Sequence, residues 1–120
     1  MNTHGLRIGN YVMYGRFVCT VYHIFFGDVV DAQSEEKGYL TKVSVEPIPL
    51  TEEILLKCGF DNLKGTKYYH NKNDRLYCDI SHILIKHFGN FNGILVETQY
   101  LHQLQNIYFD LTGEELVVKL

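Results

Sequence analysis

Apolar and polar positions are patterned as strands in the first third of the chain. Leu6, Ile8, Val12 and Tyr14 share one parity, broken at Gly9-Asn10, where a bend or bulge is expected. Gly15 punctuates the run. Phe17 to Phe26 (FVCTVYHIFF) is apolar on both parities and rich in β-branched and aromatic residues. That pattern predicts a central strand covered on both faces. Gly27 breaks it, Val29-Val30 begins a further short strand, and residues 33 to 38 read as a polar loop. Tyr39, Thr41, Val43 and Val45 then alternate with Leu40, Lys42, Ser44 and Glu46, the pattern of a half-buried strand. Pro47 and Pro49 end it, because proline cannot donate to a ladder.

A short helix over 51–58 comes next. Thr51 is a natural N-cap, and Glu52 and Glu53 lie where the helix dipole favours negative charge. Leu50 and Leu55 are placed to form a hydrophobic staple. Gly59 can take the left-handed conformation that ends a helix, with Phe60 folding back as its hydrophobic contact. A second helix is predicted over 99–112. Leu101, Leu104, Tyr108 and Leu111 recur at three- and four-residue spacing, with Thr98 as a cap and Gly113 as the stop.

Between the helices the pattern is a meander over 66–98. Lys67–His70 and Arg75–Ile80 flank the turn composition Asn71-Lys72-Asn73-Asp74. His82–Phe88 and Ile94–Thr98 flank a second loop, in which Asn92-Gly93 is a hairpin signal. Glu115–Leu120 is expected to close the fold as a last strand. The expected architecture is α+β: a mostly antiparallel sheet or small barrel from residues 5–46, with both helices packed on sheet. Leu55, Leu101, Leu104, Tyr108 and Leu111 should be buried with Val21 and Val43.

Composition narrows the class. The 120 residues, 46% of them hydrophobic, suit a single domain over 1–120, with candidate subdomains at 5–46 and 62–120. No apolar run approaches the ~18 residues of a membrane span, so no membrane partner is expected. The first residues lack a basic segment followed by an apolar one, so a cytoplasmic location is expected. Cys19, Cys58 and Cys78 are sparse and odd in number, unlike a disulfide framework.

The formal net charge of -3 is unevenly spread. Residues 62–87 hold the cations Lys64, Lys67, Lys72, Arg75 and Lys86 against Asp74 and Asp79, while residues 46–61 hold Glu46, Glu52, Glu53 and Asp61 against Lys57. A mildly acidic total therefore still leaves a local basic face. Lys64, Lys67, Tyr68, His70, Lys72 and Arg75 gather around one predicted hairpin. There, cations could neutralise phosphates while a tyrosine stacks on a base. The plainer reading is a half-buried hairpin whose lysines guard an edge.

Catalytic and cofactor motifs are missing. No glycine-rich phosphate loop is present, and no cofactor is expected. Cys78, His82 and His87 lack the spacing of a zinc site, and Cys78, His82 and Asp79 do not form a nucleophilic triad, so neither a metal nor a catalytic residue is expected. The second helix carries Tyr100, His102, Gln103, Gln105 and Asn106 on its polar side, an uncharged polar-aromatic composition common at protein interfaces. Tyr100 and Gln103 are the binding candidates there.

Two stretches carry a resemblance. Residues 47–60 (PIPLTEEILLKCGF) and 101–116 (LHQLQNIYFDLTGEEL), with the opening LRIGNYV, are similar to small uncharacterised proteins of gut-bacterial phages, prophages and mobile elements. The resemblance implies a phage or mobile-element accessory protein and carries no known active site. Residues 5–46 also resemble a small SH3-like barrel. The function expected is a non-catalytic protein-binding module acting on a host or phage protein. The alternatives are a nucleic-acid-binding module using the 64–77 hairpin, and a small-molecule or nucleotide binder that sequesters a host signal. A homodimer is compatible with each.

Overall fold

The computed structural model describes residues 5–62, 69–70, 76–78, 82–87 and 90–120. The first strands are β1 (Tyr11–Tyr14), β2 (Phe17–Phe26), β3 (Val29–Ser34) and β4 (Gly38–Ser44), antiparallel and adjacent in chain order. Tight turns make this meander. Tyr14 pairs with Phe17 across Gly15-Arg16, and Phe26 with Val29 across Gly27-Asp28. In both turns glycine stands first with positive φ, at 60° and 53°, the conformation that matches strand twist in two-residue hairpins.

Val12, Cys19, Val21, Val30 and Ala32 bury one face of this sheet, joined by Val45. The other face of β2 is not covered. Tyr22, His23, Phe25 and Phe26 are exposed, which corrects the expectation of a strand enclosed on both sides. Two register shifts in β2, between Val21 and His23 and between Ile24 and Phe26, replace the clean alternation of a flat strand.

The four strands do not close into a barrel. A single bridge brings the chain after β4 back to β1: Met13 and Glu46 exchange two backbone hydrogen bonds of 2.8 Å.

Helix α1 (Glu52–Lys57) forms where its punctuation predicts. The Thr51 hydroxyl accepts from the Ile54 N–H at 3.2 Å. At the other end Phe60 donates to the Leu55 carbonyl and Gly59 to that of Leu56, each at 3.1 Å, with Gly59 at φ 82°. This is a Schellman stop, and Leu55 and Phe60 are both fully buried beside it.

The second sheet is also an antiparallel meander. It comprises β5 (Asp61–Asn62), β6 (Tyr69–His70), β7 (Leu76–Cys78), β8 (His82–His87) and β9 (Asn90–Glu97). His87 pairs with Asn90, so Asn92-Gly93 lies inside β9 rather than at a hairpin tip. A register shift between Ile85 and His87 accompanies that displacement.

Helix α2 (Leu101–Thr112) starts two residues later than expected. Thr98 is buried and does not cap it. Instead the Gln103 side chain reaches back and accepts from the Gln99 N–H at 2.8 Å and the Tyr100 N–H at 3.1 Å. A side-chain oxygen three residues into the helix thus satisfies amides that precede it. Gly113, at φ 74°, ends the helix.

Leu101, Leu104 and Tyr108 join Leu55, Phe60 and Cys58 in a second buried cluster, separate from that of the first sheet. Leu111 is half-buried against the helical cluster, whereas Val21 and Val43 belong to the sheet cluster, so the single shared core divides. Strand β1 stands between the two. Its period of two sends Val12 to one cluster and Tyr11 and Met13 to the other.

The C-terminal segment is not a strand, contrary to expectation. Leu116 and Val118 are buried and Val117 is exposed, the alternation of an extended chain. The segment is tied to α1 by a hydrogen bond from the Lys119 N–H to the Lys57 carbonyl, at 2.9 Å, rather than by a ladder. Neither helix is long and apolar enough to cross a membrane.

Candidate functional site

The expected binding residues fall into two groups. Lys64, Lys67, Tyr68, Lys72 and Arg75 lie outside the described residues. His70 is half-buried in β6, opposite Asp61 of β5. It lines an open groove of about 850 Å3, with Cys58, Asp61, Tyr108 and Val117 among the walls. Burial pushes the Cys58 thiol up to about 12, so this sulfur stays protonated and is no nucleophile at neutral pH.

Tyr100 and Gln103 sit at the start of α2 and serve the fold. The Tyr100 backbone bridges to Pro49, and its ring stacks on His102 at 5.9 Å. Gln103 is occupied in closing the helix start. The expected polar partner surface of α2 is largely internal: His102 and Gln105 are buried.

Gln105 accepts from the Tyr11 N–H at 2.9 Å and donates to the Gly9 carbonyl at 3.4 Å. Asn106 accepts from Asn10 at 2.9 Å and from Arg7 at 3.1 Å, and its amide donates to the Gly5 carbonyl. These amides join the segment before β1 to the helix. An uncharged polar composition that reads as an interface is here an interface within the chain.

The surface left open is the outer face of β2–β4. Tyr22 and Tyr39 approach to 6.1 Å between ring centroids, and His23 meets Phe25 edge-on at 4.6 Å. Lys42 places its ammonium 5.4 Å from the centre of the Phe25 ring. Asp31 joins these residues. It accepts from the Lys42 N–H at 2.9 Å and from the Tyr39 hydroxyl at 3.5 Å. Partial desolvation, with the Asp31 charge beside it, pushes the Tyr39 hydroxyl up from its ordinary value.

The backbone beneath this face is specialised. Lys42 has φ 50°, rare for a residue with a side chain, where β3 and β4 slip in register between Val30 and Ala32. Asp31 holds that conformation by taking the Lys42 amide. At the near end of β4, Ser44 donates to Asp28, which keeps the Asp28 carboxyl below its ordinary range.

Sequence reasoning missed this face because the run 17–26 reads as enclosed. The signal lay on its neighbours. Asp31 and Gln33 on β3 are the outward positions flanking buried Ala32, and polar residues there mark a wet face. Among the described residues no cluster of three or more His, Cys, Asp or Glu is placed to hold a metal ion. The fold and this face define a small α+β domain with an aromatic sheet surface. No protein-family model matches the chain, and no curated protein or solved structure is detectably similar to it.

Proposed function

We propose that this chain is a non-catalytic protein-binding module whose docking surface is the outer face of β2–β4. One observation carries the reading: Tyr22, Phe25 and Tyr39 are all exposed and interlinked on one sheet face, with Asp31 and Lys42 among them. Rigid aromatic side chains beside a few placed charges are what protein interfaces concentrate. We further propose, from the sequence of residues 47–60 and 101–116, a phage or mobile-element origin and an accessory role on a host or phage protein in the cytoplasm.

Capture from host lysate tests this. The wild-type chain should retain a partner that the Tyr22→Ala/Tyr39→Ala variant retains about tenfold less well, a loss typical of removing interface anchors. Equal capture by both baits, or turnover by the purified protein with no partner captured, overturns the reading.

A second reading has its own support. The groove beside His70 has the volume of a small-molecule site, about 850 Å3. A nucleotide that binds there should raise the melting temperature of the chain. A nucleotide series that leaves the melting temperature unchanged rejects it.

A further inference from the structure

An open sheet invites pairing along its edges. Here each edge carries a local guard. The outer edge of β1 is engaged by Glu46, which exchanges two hydrogen bonds with Met13. On β4 the left-handed Lys42 sits at the register shift with β3 and gives its N–H to Asp31. The outer face carries no such protection. Tyr22, Phe25, Phe26 and Tyr39 are exposed by 48%, 39%, 73% and 60%.

At ~200 Å2 per aromatic side chain, those exposures leave roughly 450 Å2 of ring-bearing surface in water. That matches the largest patch of an ordinary monomer, and such patches are often functional. That is a little over half of the ~800 Å2 that one partner contributes to a standard interface, which leaves the remainder to the polar rim.

We propose that this face pairs with the same face of a second copy of the chain, forming a two-fold dimer. The inference rests on the reading of the face as a protein-docking surface and adds a second copy of the chain as its occupant, which a host or phage protein must displace to bind there. Charge selects the occupant. Asp31 and Lys42 carry opposite signs within the patch, joined by the Lys42 N–H bond of 2.9 Å to Asp31. In a two-fold interface residue i meets residue j and j meets i. Asp31 of one copy can therefore face Lys42 of the other, twice over. A face of one sign would repel its own copy, whereas this one is self-complementary.

Sedimentation velocity and light scattering over about a hundredfold range of concentration test the proposal, since mass action separates a dimer from its monomer. The wild-type chain should show twice the mass of one chain. Tyr22→Ala/Tyr39→Ala should weaken dimerisation by about tenfold or more. Asp31→Lys and Lys42→Glu should each be monomeric alone and form a heterodimer when mixed, because only the mixture restores opposite charges at both contacts. Circular dichroism of each variant confirms that it is folded.

A wild-type chain that stays monomeric throughout overturns the dimer. So does a dimer untouched by all these variants, which must use another surface. The lysate experiment separates the two ideas. A monomeric wild type that still captures a partner through Tyr22 and Tyr39 loses only the second copy as occupant.

Discussion

Arg7 and Glu115 join the beginning and the end of the described chain. One guanidinium nitrogen lies 2.8 Å from the carboxylate and the second reaches its other oxygen at 3.3 Å. The same side chain donates to Asn106 at 3.1 Å and lies over the Phe109 ring at 4.5 Å. Arg7 thus touches α2 at two residues and the C-terminal segment at a third.

Those contacts should not weigh equally. Glu115→Gln removes an exposed ion pair and should cost under about 1 kcal/mol. Arg7→Ala removes the pair, the Asn106 bond and the ring contact, and should cost about 1–3 kcal/mol. Urea denaturation of both variants decides this. Equal losses would mean that the ion pair carries the whole effect.

Gln105 should behave as a core residue. Gln105→Ala leaves the Tyr11 N–H without its acceptor beside a fully buried site, a loss of about 1–3 kcal/mol. Gln105→Leu fills the space but not the hydrogen bond, so it should also destabilise. Thermal melts unchanged from wild type for both would return Gln105 to the free surface of the helix.

Lys42 offers a stabilising substitution. Glycine adopts φ 50° without the clash of a Cβ, so Lys42→Gly should gain about 0.5–1 kcal/mol. The gain is measured by equilibrium unfolding at concentrations where the chain is monomeric, so that loss of pairing does not enter. Lys42→Val should lose stability, because a β-branched side chain tolerates this backbone least. A loss for Lys42→Gly relative to wild type would show that the contact with Phe25 outweighs the backbone.

Cys58 sets a pH dependence on the alkaline side. The buried thiol titrates at about 12 against an ordinary 9.0, so the unfolded chain loses its proton first. Its contribution is complete below pH 9 and declines as pH rises towards 12, by about 1.4 kcal/mol per unit. Cys58→Ala should flatten that decline in unfolding measurements from pH 8 upward. A parallel pH profile for the variant would remove Cys58 as the cause. Maleimide should modify the native thiol only as fast as the protein opens.

Local grammar was readable from the residues themselves. Thr51 caps α1, Gly59 and Phe60 stop it, and Gly113 ends α2, because each depends on neighbours within one turn. The apolar spacing of Leu101, Leu104 and Tyr108 likewise marked their burial. Gln103 shows the limit. Its composition suits a binding surface, and its structural position makes it a helix-start residue. Thr98 and Gln103 both offer oxygens near that start; Thr98 is buried, and Gln103 takes the Gln99 and Tyr100 amides.

The sequence by itself determined an α+β chain of short antiparallel strands and two helices, since periodicity, turns and caps act over a few residues. Only the tertiary structure decided where those elements meet. It divided the apolar residues between two clusters on either side of β1 and held residues 115–120 out of any ladder among the described residues. It also turned the amides of α2 inward and left Tyr22, Phe25 and Phe26 of β2 and Tyr39 of β4 outward. The reason is that a side chain's burial depends on contacts remote in the chain. Gln105 reaches Tyr11 across 94 positions, and no local pattern contains that distance.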